Sequence, residues 1–429
     1  MPCLGLIDCN NFFVSCERSF APQLANRPVV VLSNNDGCVV SRSNEAKKLG
    51  IPMGVPLFKI QDLVKRERVA VFSGNMDLYR GISQRIMRII ADQVPAQEVY
   101  SIDECFVLMY VNMDLHAFGL ELRTRILQEV GIPVSVGFSS TKTLAKAATY
   151  FAKHYDGYQG CAVIDSPAKR EQALRHLPIE EVWGIGRRHR ANLQAIGIDS
   201  AYAFTQLSER FVKQSMSITG VRTWKELQGI PCIPFNQPHR RQSVMATRSL
   251  ALETNELPNL QKCIALFTAM CCRTLRKEHL QAREVAVLLR TNKFKPQLPQ
   301  HQAALLRQLT PPTQDLITIN QITQQLLQES FRPECRYKKV GVYLGKLVEE
   351  SYDDSLFAPP STYPRARLNG TIQALEARFG QGVVQMASQG QLDLDSLTNH
   401  QHRSDAQVHM MPNEAPLDDP PNHLLFSNG

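Results

Sequence analysis

Two acidic motifs constrain the fold of this chain more than any other feature. Asp8 closes an apolar segment of strand character in LGLIDCN at 4–10, and Asp103 and Glu104 are adjacent in YSIDECF at 100–106. Neighbouring residues on a regular strand point to opposite faces, so the chain must turn at this pair if both acids serve one site. Residues 98–110 have the composition of a hairpin's two arms. We therefore expect the strand ending at Asp8 to lie beside this hairpin.

Three carboxylates at one point would form an oxygen-rich environment of the kind that Mg²⁺ prefers. Two such ions about 3.5–4 Å apart can clamp the attacking and leaving oxygens of a phosphoryl transfer. The alternative is structural: two solvated acids at a hairpin tip and a third at a strand end. The sequence around the motifs bears on this choice.

That surrounding sequence carries a resemblance in four segments: LIDCNNFFVSCE at 6–17, SNNDGCVVSRSNEAKKLGIPMG at 33–54, YSIDECF at 100–106 and VGFSSTKTLAKAA at 136–148. They resemble the catalytic core of Y-family translesion DNA polymerases, and more narrowly the UmuC type, the catalytic subunit of bacterial DNA polymerase V. The resemblance extends, in order, over residues 1 to about 350. It implies an error-prone DNA-directed DNA polymerase that copies past damaged template bases in the SOS response.

The resemblance also implies a fold: an α+β multidomain chain with the right-hand architecture of polymerases. We expect a palm at 1–20 and 75–165, fingers at 21–74, a helical thumb at 166–232, a linker at 233–241, a little finger at 242–346 and a C-terminal tail at 347–429. Within the thumb, VWGIGRRHRANLQAIGI at 182–198 fits a helix-hairpin-helix. The pattern of the little finger predicts the order βαββαβ, with two helices on one face of a four-stranded sheet.

Catalytic roles follow from the resemblance. Asp8, Asp103 and Glu104 match the family's catalytic, metal-binding carboxylates, with the Cys9 backbone carbonyl as a further ligand, and together they imply two Mg²⁺ ions. Glu104 would lie nearest the primer 3′-hydroxyl, whose pKa the metal lowers for in-line attack.

Residues for the incoming nucleotide also follow from the resemblance: Phe12, Phe13, Ser41, Asn44, Lys47 and Lys146. Phe13 takes the steric-gate position, where a flat ring under the sugar would clash with a ribose 2′-hydroxyl. The structural alternative for the two phenylalanines is core packing, and we expect one of them to be core. A lysine on a helix is ordinarily a solvated charge. The related polymerase IV branch usually has Tyr-Glu-Ala-Arg where this chain has Asn44-Glu45-Ala46-Lys47, so a bidentate guanidinium is replaced by an ammonium.

The distribution of charge predicts where DNA is bound. Residues 239–295 hold eleven Lys and Arg against four Asp and Glu, and so carry +7 of the net charge of +8. A basic module in an otherwise near-neutral chain is typical of phosphate-backbone binding, although a solvated surface is the alternative. The expected DNA contacts are Gly184, Gly186, Arg187 and Arg188 in the thumb, and Arg240, Arg241, Arg248 and Arg290 beyond it.

Partners are implied by the resemblance as well: primer–template DNA, deoxynucleoside triphosphates, a processed UmuD-type dimer and RecA. A sliding clamp would bind DDSLF at 353–357 through Leu356 and Phe357, although the usual leading Gln is absent. The end of the chain departs from the family's basic, aromatic tail. Residues after about 395 are polar and rich in Asp, Asn, His and Pro, which predicts disorder.

Several classes of protein are disfavoured by the composition. The eleven cysteines include no CxxC pair, which indicates a reduced protein without structural zinc. There is no apolar run of 18 residues and no signal-like N-terminus, so we expect a cytoplasmic protein without a membrane span. Two other functions fit parts of the pattern. One is a catalytically silent DNA-binding scaffold at stalled forks, which only the atypical tail favours. The other is a two-metal nuclease, which would leave the aromatic gate and the lysines without a purpose.

Overall fold

A computed structural model describes residues 3–110, 113–235, 241–350, 362–380, 382–390, 397 and 400–407. Contacts divide the chain into two compact units. The first comprises Met1–Ser33, Gly37–Pro238 and His402–Gly429, and the second comprises Asn34–Asp36 and His239–Gln401.

The first unit contains two sheets and ten α-helices in its described residues. Its strands are β1 (Cys3–Cys9), β2 (Val29–Leu32), β3 (Val39–Arg42), β4 (Ala70–Ser73), β5 (Ala96–Val99), β6 (Glu104–Met109), β7 (Val134–Ser139) and β8 (Cys161–Ile164). Its helices are α1 (Phe12–Phe20), α2 (Asn44–Lys48), α3 (Gln61–Arg66), α4 (Met76–Ala91), α5 (Leu115–Val130), α6 (Lys142–His154), α7 (Pro167–His176), α8 (Arg187–Gln194), α9 (Ala201–Thr205) and α10 (Glu209–Leu227).

The larger sheet of this unit has the strand order β5-β6-β1-β7-β8. Strand β1 is central and is covered on both faces, which explains its nearly continuous apolar sequence. Ile7 belongs to the cluster that packs with α1, α4 and α5. Leu6 faces the other way, toward Ala145 of α6. Asp8 comes near the end of this strand, where the sheet edge opens to the site.

Helix α6 lies very close to the sheet because Gly137 has no side chain. A Cβ atom at Gly137 would come within 2.2 Å of the Thr149 backbone nitrogen. The helix begins at a cap in which the Thr141 side chain accepts a hydrogen bond from the Leu144 N–H at 3.2 Å. This close packing fixes the distance between α6 and the sheet, and it fixes which face of α6 is turned toward the end of β1.

The smaller sheet has the order β3-β2-β4, with β2 antiparallel to β3 and parallel to β4. Of the six 3₁₀-helices in the described residues, three lie between α1 and β4 along the chain: Pro22–Leu24, Asn34–Asp36 and Leu57–Lys59. The other three are Asp156–Tyr158, Ile179–Glu181 and Ala387–Gln389. Helices α7 to α10 form a separate apolar cluster with α6, centred on side chains such as Leu177, Phe204 and Leu227.

The second unit is one sheet with helices packed on it. Its elements are β9 (Ser243–Thr254), α11 (Leu257–Lys277), β10 (Leu280–Thr291), β11 (Gln302–Thr313), α12 (Leu316–Ser330), β12 (Tyr337–Gly345), β13 (Val348–Glu349) and α13 (Thr362–Phe379). The strand order is β11-β10-β12-β9, and β13 also pairs with β10. The predicted order βαββαβ is confirmed, with β13 as an addition that the pattern did not indicate.

The prediction of disorder after about residue 395 was wrong for the segment at 402–406, and one helix before it was not expected. Helix α13 precedes residue 395, was not predicted, and is attached to α11 by an Arg273–Glu376 ion pair of 2.6 Å. Farther on, the His402 N–H donates to the Ser73 hydroxyl at 2.9 Å, and the Asn75 side chain donates to the Ala406 carbonyl at 3.1 Å. These backbone contacts order a polar segment that has too little apolar surface to be recognised as structured from composition.

Candidate active site

Asp8, Asp103 and Glu104 lie together at one end of the strands β1 and β6 of the larger sheet. Strands β1 and β6 are antiparallel with Asp8 opposite Glu104, and the Cys9 N–H donates to the Asp103 carbonyl at 2.9 Å. The Ser101 hydroxyl shapes the turn, because it donates to Asp103 Oδ1 at 2.6 Å and accepts from the Glu104 N–H at 3.0 Å. The expected hairpin with a turn at the acidic pair is thus present.

Two lysines of α6 form ion pairs with two of these carboxylates. Lys153 Nζ donates to Asp8 Oδ1 at 2.7 Å, and Lys146 Nζ lies 3.1 Å from both carboxylate oxygens of Glu104. The two lysines are seven residues apart, so they share one face of the helix. Our sequence reasoning included Lys146 but missed Lys153. The seven-residue spacing on a predicted helix was the signal that could have found it.

Asp103 and Glu104 are poorly solvated and close to other carboxylates of the site, and both effects raise their pKa values. Burial raises the pKa of Asp103, and the neighbouring charge of Asp8 raises it further. Burial also raises the pKa of Glu104, to about 7, although the Lys146 ammonium opposes the rise. Burial would lower the pKa of Lys153, but the charge of Asp8 and its hydrogen bond outweigh it, and the net pKa is raised. The site therefore favours additional positive charge.

Hard oxygen donors and excess negative charge fit divalent cations such as Mg²⁺. Within the residues that the structure describes, however, no group of three or more His, Cys, Asp or Glu side chains has the arrangement of a metal site. The reason is visible in the ion pairs, since Asp8 and Glu104 direct oxygens at Lys153 and Lys146. The donor types fit the metal.

The two phenylalanines of α1 have different environments. Phe12 is 3 % exposed and belongs to the apolar core, which leaves Phe13 as the ring available at the surface of the site. Phe13 stacks on Tyr79 of α4, with ring centroids 4.5 Å apart and planes 16° apart. The Tyr79 hydroxyl in turn donates to Glu17 at 2.6 Å. Burial raises the pKa of Glu17.

Residues of the smaller sheet bring further positive charge to Asp8. Burial lowers the pKa of Lys47, and the charges of Lys153 and Arg42 lower it further, which places these cations in one region. Asn44 accepts from Lys47 at 3.4 Å. Asn44 also accepts from the Asn11 side chain at 3.1 Å. Ser41 is buried, and its hydroxyl accepts from the Val14 N–H at 3.4 Å. The chain thus places a basic pocket next to a carboxylate.

The predicted thumb residues surround a tight turn before α8. Gly184 has φ = +88°, a left-handed conformation that favours glycine, and Gly186 caps α8. Arg187 and Arg188 are exposed in the first turn of this helix. The first helix of the expected motif is only the 3₁₀-helix Ile179–Glu181.

The structure separates the predicted arginines of the second unit. In the second half of β10 the residues of the apolar core are Val285, Val287 and Leu289, so Arg290 is exposed on the opposite face of the sheet. Arg248 lies opposite the core residue Val340, on the helix-covered face, where burial lowers the pKa of its guanidinium. Arg241 forms a 2.9 Å ion pair with Glu278. Arg240, Leu356 and Phe357 lie outside the described residues.

Comparisons with known proteins agree on one family. Residues 7–150 match the model of the impB/mucB/samB family, and residues 241–356 match the model of that family's C-terminal domain. The chain is 35 % identical to the protein UmuC of Salmonella typhimurium over 400 residues, which cover 90 % of this chain and 93 % of UmuC. The chain belongs to the impB/mucB/samB family.

Another relative of this impB/mucB/samB protein is MucB of Escherichia coli. The two are 33 % identical over 392 residues, which cover 90 % of this chain and 93 % of MucB. DNA polymerase IV of Dehalococcoides mccartyi is 31 % identical over 296 residues, or 67 % of this chain and 74 % of that protein.

Solved structures give the fold of this family member. A Y-family DNA polymerase chimera of Dbh and Dpo4 aligns with a TM-score of 0.65 and 20 % identity, covering 81 % of this chain and 99 % of the chimera. DinB from Sulfolobus solfataricus aligns with a TM-score of 0.52 and 19 % identity over the same shares. The fold is therefore that of a right-hand polymerase with palm, fingers, thumb and little finger. No described helix is long and apolar enough to cross a membrane.

Proposed function

We propose that this protein is an error-prone, DNA-directed DNA polymerase that extends primers past damaged template bases during SOS mutagenesis. The observation that carries the proposal is the meeting of Asp8, Asp103 and Glu104 beside the basic pocket of Lys47 and Lys153. Family membership and the right-hand fold support the same activity. A silent scaffold would need neither the buried carboxylates nor the basic pocket.

Asp8, Asp103, Glu104 and the Cys9 carbonyl would hold two Mg²⁺ ions. When bound, the ions would supply charge neutralisation and a lower pKa for the primer 3′-hydroxyl. Lys153 and Lys146 currently pair with Asp8 and Glu104. Because the Lys153 ammonium occupies an oxygen of Asp8 that a metal would use, Lys153 would be free to pair with the anionic triphosphate when the metal site is filled.

The incoming nucleotide is positioned by residues on both sides of Asp8. Lys47 and Lys153 bind the triphosphate, with Asn44 and Ser41 fixing the local chain through hydrogen bonds. Lys146, which the resemblance also assigned to the nucleotide, pairs with Glu104 in the structure. Phe13, held flat by its stack on Tyr79, lies under the sugar and excludes a 2′-hydroxyl.

Primer–template DNA contacts residues of the thumb and residues of the little finger. The backbone amides at Gly184, Gly186 and the start of α8 receive a phosphate, and Arg187 and Arg188 add charge. Arg290 contributes from the exposed face of the little-finger sheet. We assign the palm to residues 1–20 and 75–165, the fingers to 21–74, the thumb to 166–232, the linker to 233–241 and the little finger to 242–346.

The proposed partners rest on kinship with UmuC-type proteins. A processed UmuD-type dimer and RecA activate the enzyme, and a sliding clamp binds Leu356 and Phe357. Replacing these two residues by alanine should abolish clamp binding in surface plasmon resonance, whereas unchanged affinity would reject the contact.

Primer extension past an abasic site tests the activity. The wild-type chain and Asp103→Ala are compared with Mg²⁺ and deoxynucleoside triphosphates, with and without a processed UmuD-type partner and activated RecA. Asp92→Ala, an exposed aspartate at the end of α4, is the matched control. We expect extension by the wild type and by the control, and none by Asp103→Ala. Tight primer–template binding without extension under any condition would favour the scaffold instead.

A further inference from the structure

Trp183 joins the thumb turn to the palm. It directly precedes Gly184, and its ring lies 5.6 Å from the Tyr100 ring at 90° and 5.8 Å from the Phe106 ring at 38°. Tyr100 and Phe106 belong to the hairpin that carries Asp103 and Glu104. The indole therefore packs onto the hairpin from the segment that begins the proposed DNA-binding turn.

The same indole covers an ammonium group. Lys146 Nζ lies 5.3 Å from the centroid of the Trp183 ring and 5.0 Å from that of Tyr100. It also pairs with Glu104, whose two oxygens are each 3.1 Å away. The side chain of Lys146 is only 16 % exposed, and cation–π attraction is strongest for tryptophan and for partly desolvated cations. Two rings and one carboxylate thus define the position of this ammonium.

We propose that Trp183 is a positioning residue, which holds Lys146 against Glu104 and so links DNA binding at the thumb turn to the primer side of the catalytic centre. This inference rests on the proposed polymerase function. A phosphate held at Gly186 and the start of α8 restrains the turn, and with it the indole three residues earlier. Without the indole, the Lys146 ammonium loses one of the two aromatic rings that it contacts. Glu104 then loses a counter-charge held in a fixed position.

The expected signature is kinetic. The aromatic and cation contacts of Trp183 are with Tyr100, Phe106 and Lys146, so its loss should change kcat rather than the KM for the nucleotide. Trp183→Ala should lower kcat by between about 2-fold and 30-fold, the range that corresponds to one cation–π contact. Trp183→Phe, which keeps a smaller aromatic face, should recover most of this loss. Trp224→Phe is the matched control, because the chain has two tryptophans and the other one packs within the thumb cluster.

A double-mutant cycle separates this role from simple packing of thumb on palm. In a Lys146→Met background, Trp183→Ala should cost no further kcat if the indole acts through the ammonium. Equal costs in both backgrounds would overturn the proposal, while wild-type extension in the same assay would leave the polymerase function intact. Primer–template affinity, measured by fluorescence anisotropy in EDTA, should change by less than about 2-fold in Trp183→Ala.

A measurement without metal or catalysis completes the test. In the Trp224→Phe protein, all tryptophan emission comes from Trp183. Adding Lys146→Met removes the cation next to the indole, so we expect a changed emission intensity in metal-free buffer. Identical spectra with and without Lys146, in proteins of equal melting temperature, would show that the contact does not form and would overturn the proposal.

Discussion

Replacing Glu104 by glutamine should make the protein less active but, at neutral and alkaline pH, relatively more stable. Glu104 is buried beside Asp8 and Asp103, and in the folded chain its pKa rises from 4.5 to about 7. The folded state therefore keeps its proton over a pH range in which the unfolded chain has lost it. Stability from this group is fully present below about pH 4.5 and is lost as the pH rises through about 7.

The size of the effect follows from the same values. One pKa unit corresponds to about 1.36 kcal/mol, so a rise from 4.5 to about 7 corresponds to about 3 kcal/mol. Glutamine does not titrate. The stability of Glu104→Gln relative to wild type should thus increase by up to about 3 kcal/mol between pH 4.5 and pH 8. The attraction of Lys146 acts on the ionised form of Glu104 and is already contained in the folded-state pKa of about 7, so it adds no separate contribution.

Urea unfolding in EDTA, followed by tryptophan fluorescence, measures this difference at several pH values. Both tryptophans, Trp183 and Trp224, lie in the first unit, so the signal reports on the unit that contains Glu104. Glu129→Gln, at an exposed position of α5 paired with Arg125, is the control and should show no such trend. A constant offset between Glu104→Gln and wild type at every pH would refute the reasoning.

Four further predictions concern neighbouring side chains. Phe13→Ala should raise ribonucleotide incorporation, relative to deoxynucleotide, by about 10-fold or more in single-nucleotide extension, and an unchanged ratio would remove Phe13 from the gate. Lys153→Met should raise the KM for the nucleotide by about 10- to 100-fold, since it removes a charged partner, whereas the exposed Lys169→Met should not. In thermal melts at pH 8, Mg²⁺ should raise the melting temperature of the wild type but not of Asp103→Asn, and equal shifts would contradict the metal assignment. Burial raises the pKa of Glu17, so the stability of wild type relative to Glu17→Gln should fall as the pH rises above about 4.5, and a difference in free energy of unfolding that is independent of pH would contradict this.

The acidic motifs predicted much of the site because their constraint is local. Adjacent strand residues point to opposite faces, so the pair Asp103-Glu104 required a turn, and the turn is present with Ser101 at its centre. Alternation and helical spacing likewise predicted the strand and helix order of the little-finger sheet. These rules act over a few residues, so they can be read from a single sequence.

Other features depended on how the elements pack. Arg248 and Arg290 looked equivalent as basic residues on strands, but their register places them on opposite faces of one sheet. The ordered segment at 402–406 was missed because its backbone hydrogen bonds, such as that of His402 to Ser73, leave no trace in composition.

The sequence alone determined the carboxylates, the hairpin that presents two of them, and the order of the strands and helices, because those follow from residue type and short-range periodicity. Only the tertiary structure decided which cations meet those carboxylates. Lys153 reaches Asp8 across 145 positions because Gly137 lets α6 pack tightly on the sheet. Trp183 reaches Lys146 because the thumb turn packs on the palm hairpin. Such meetings depend on distances between elements, which the spacing of residues along a chain does not specify.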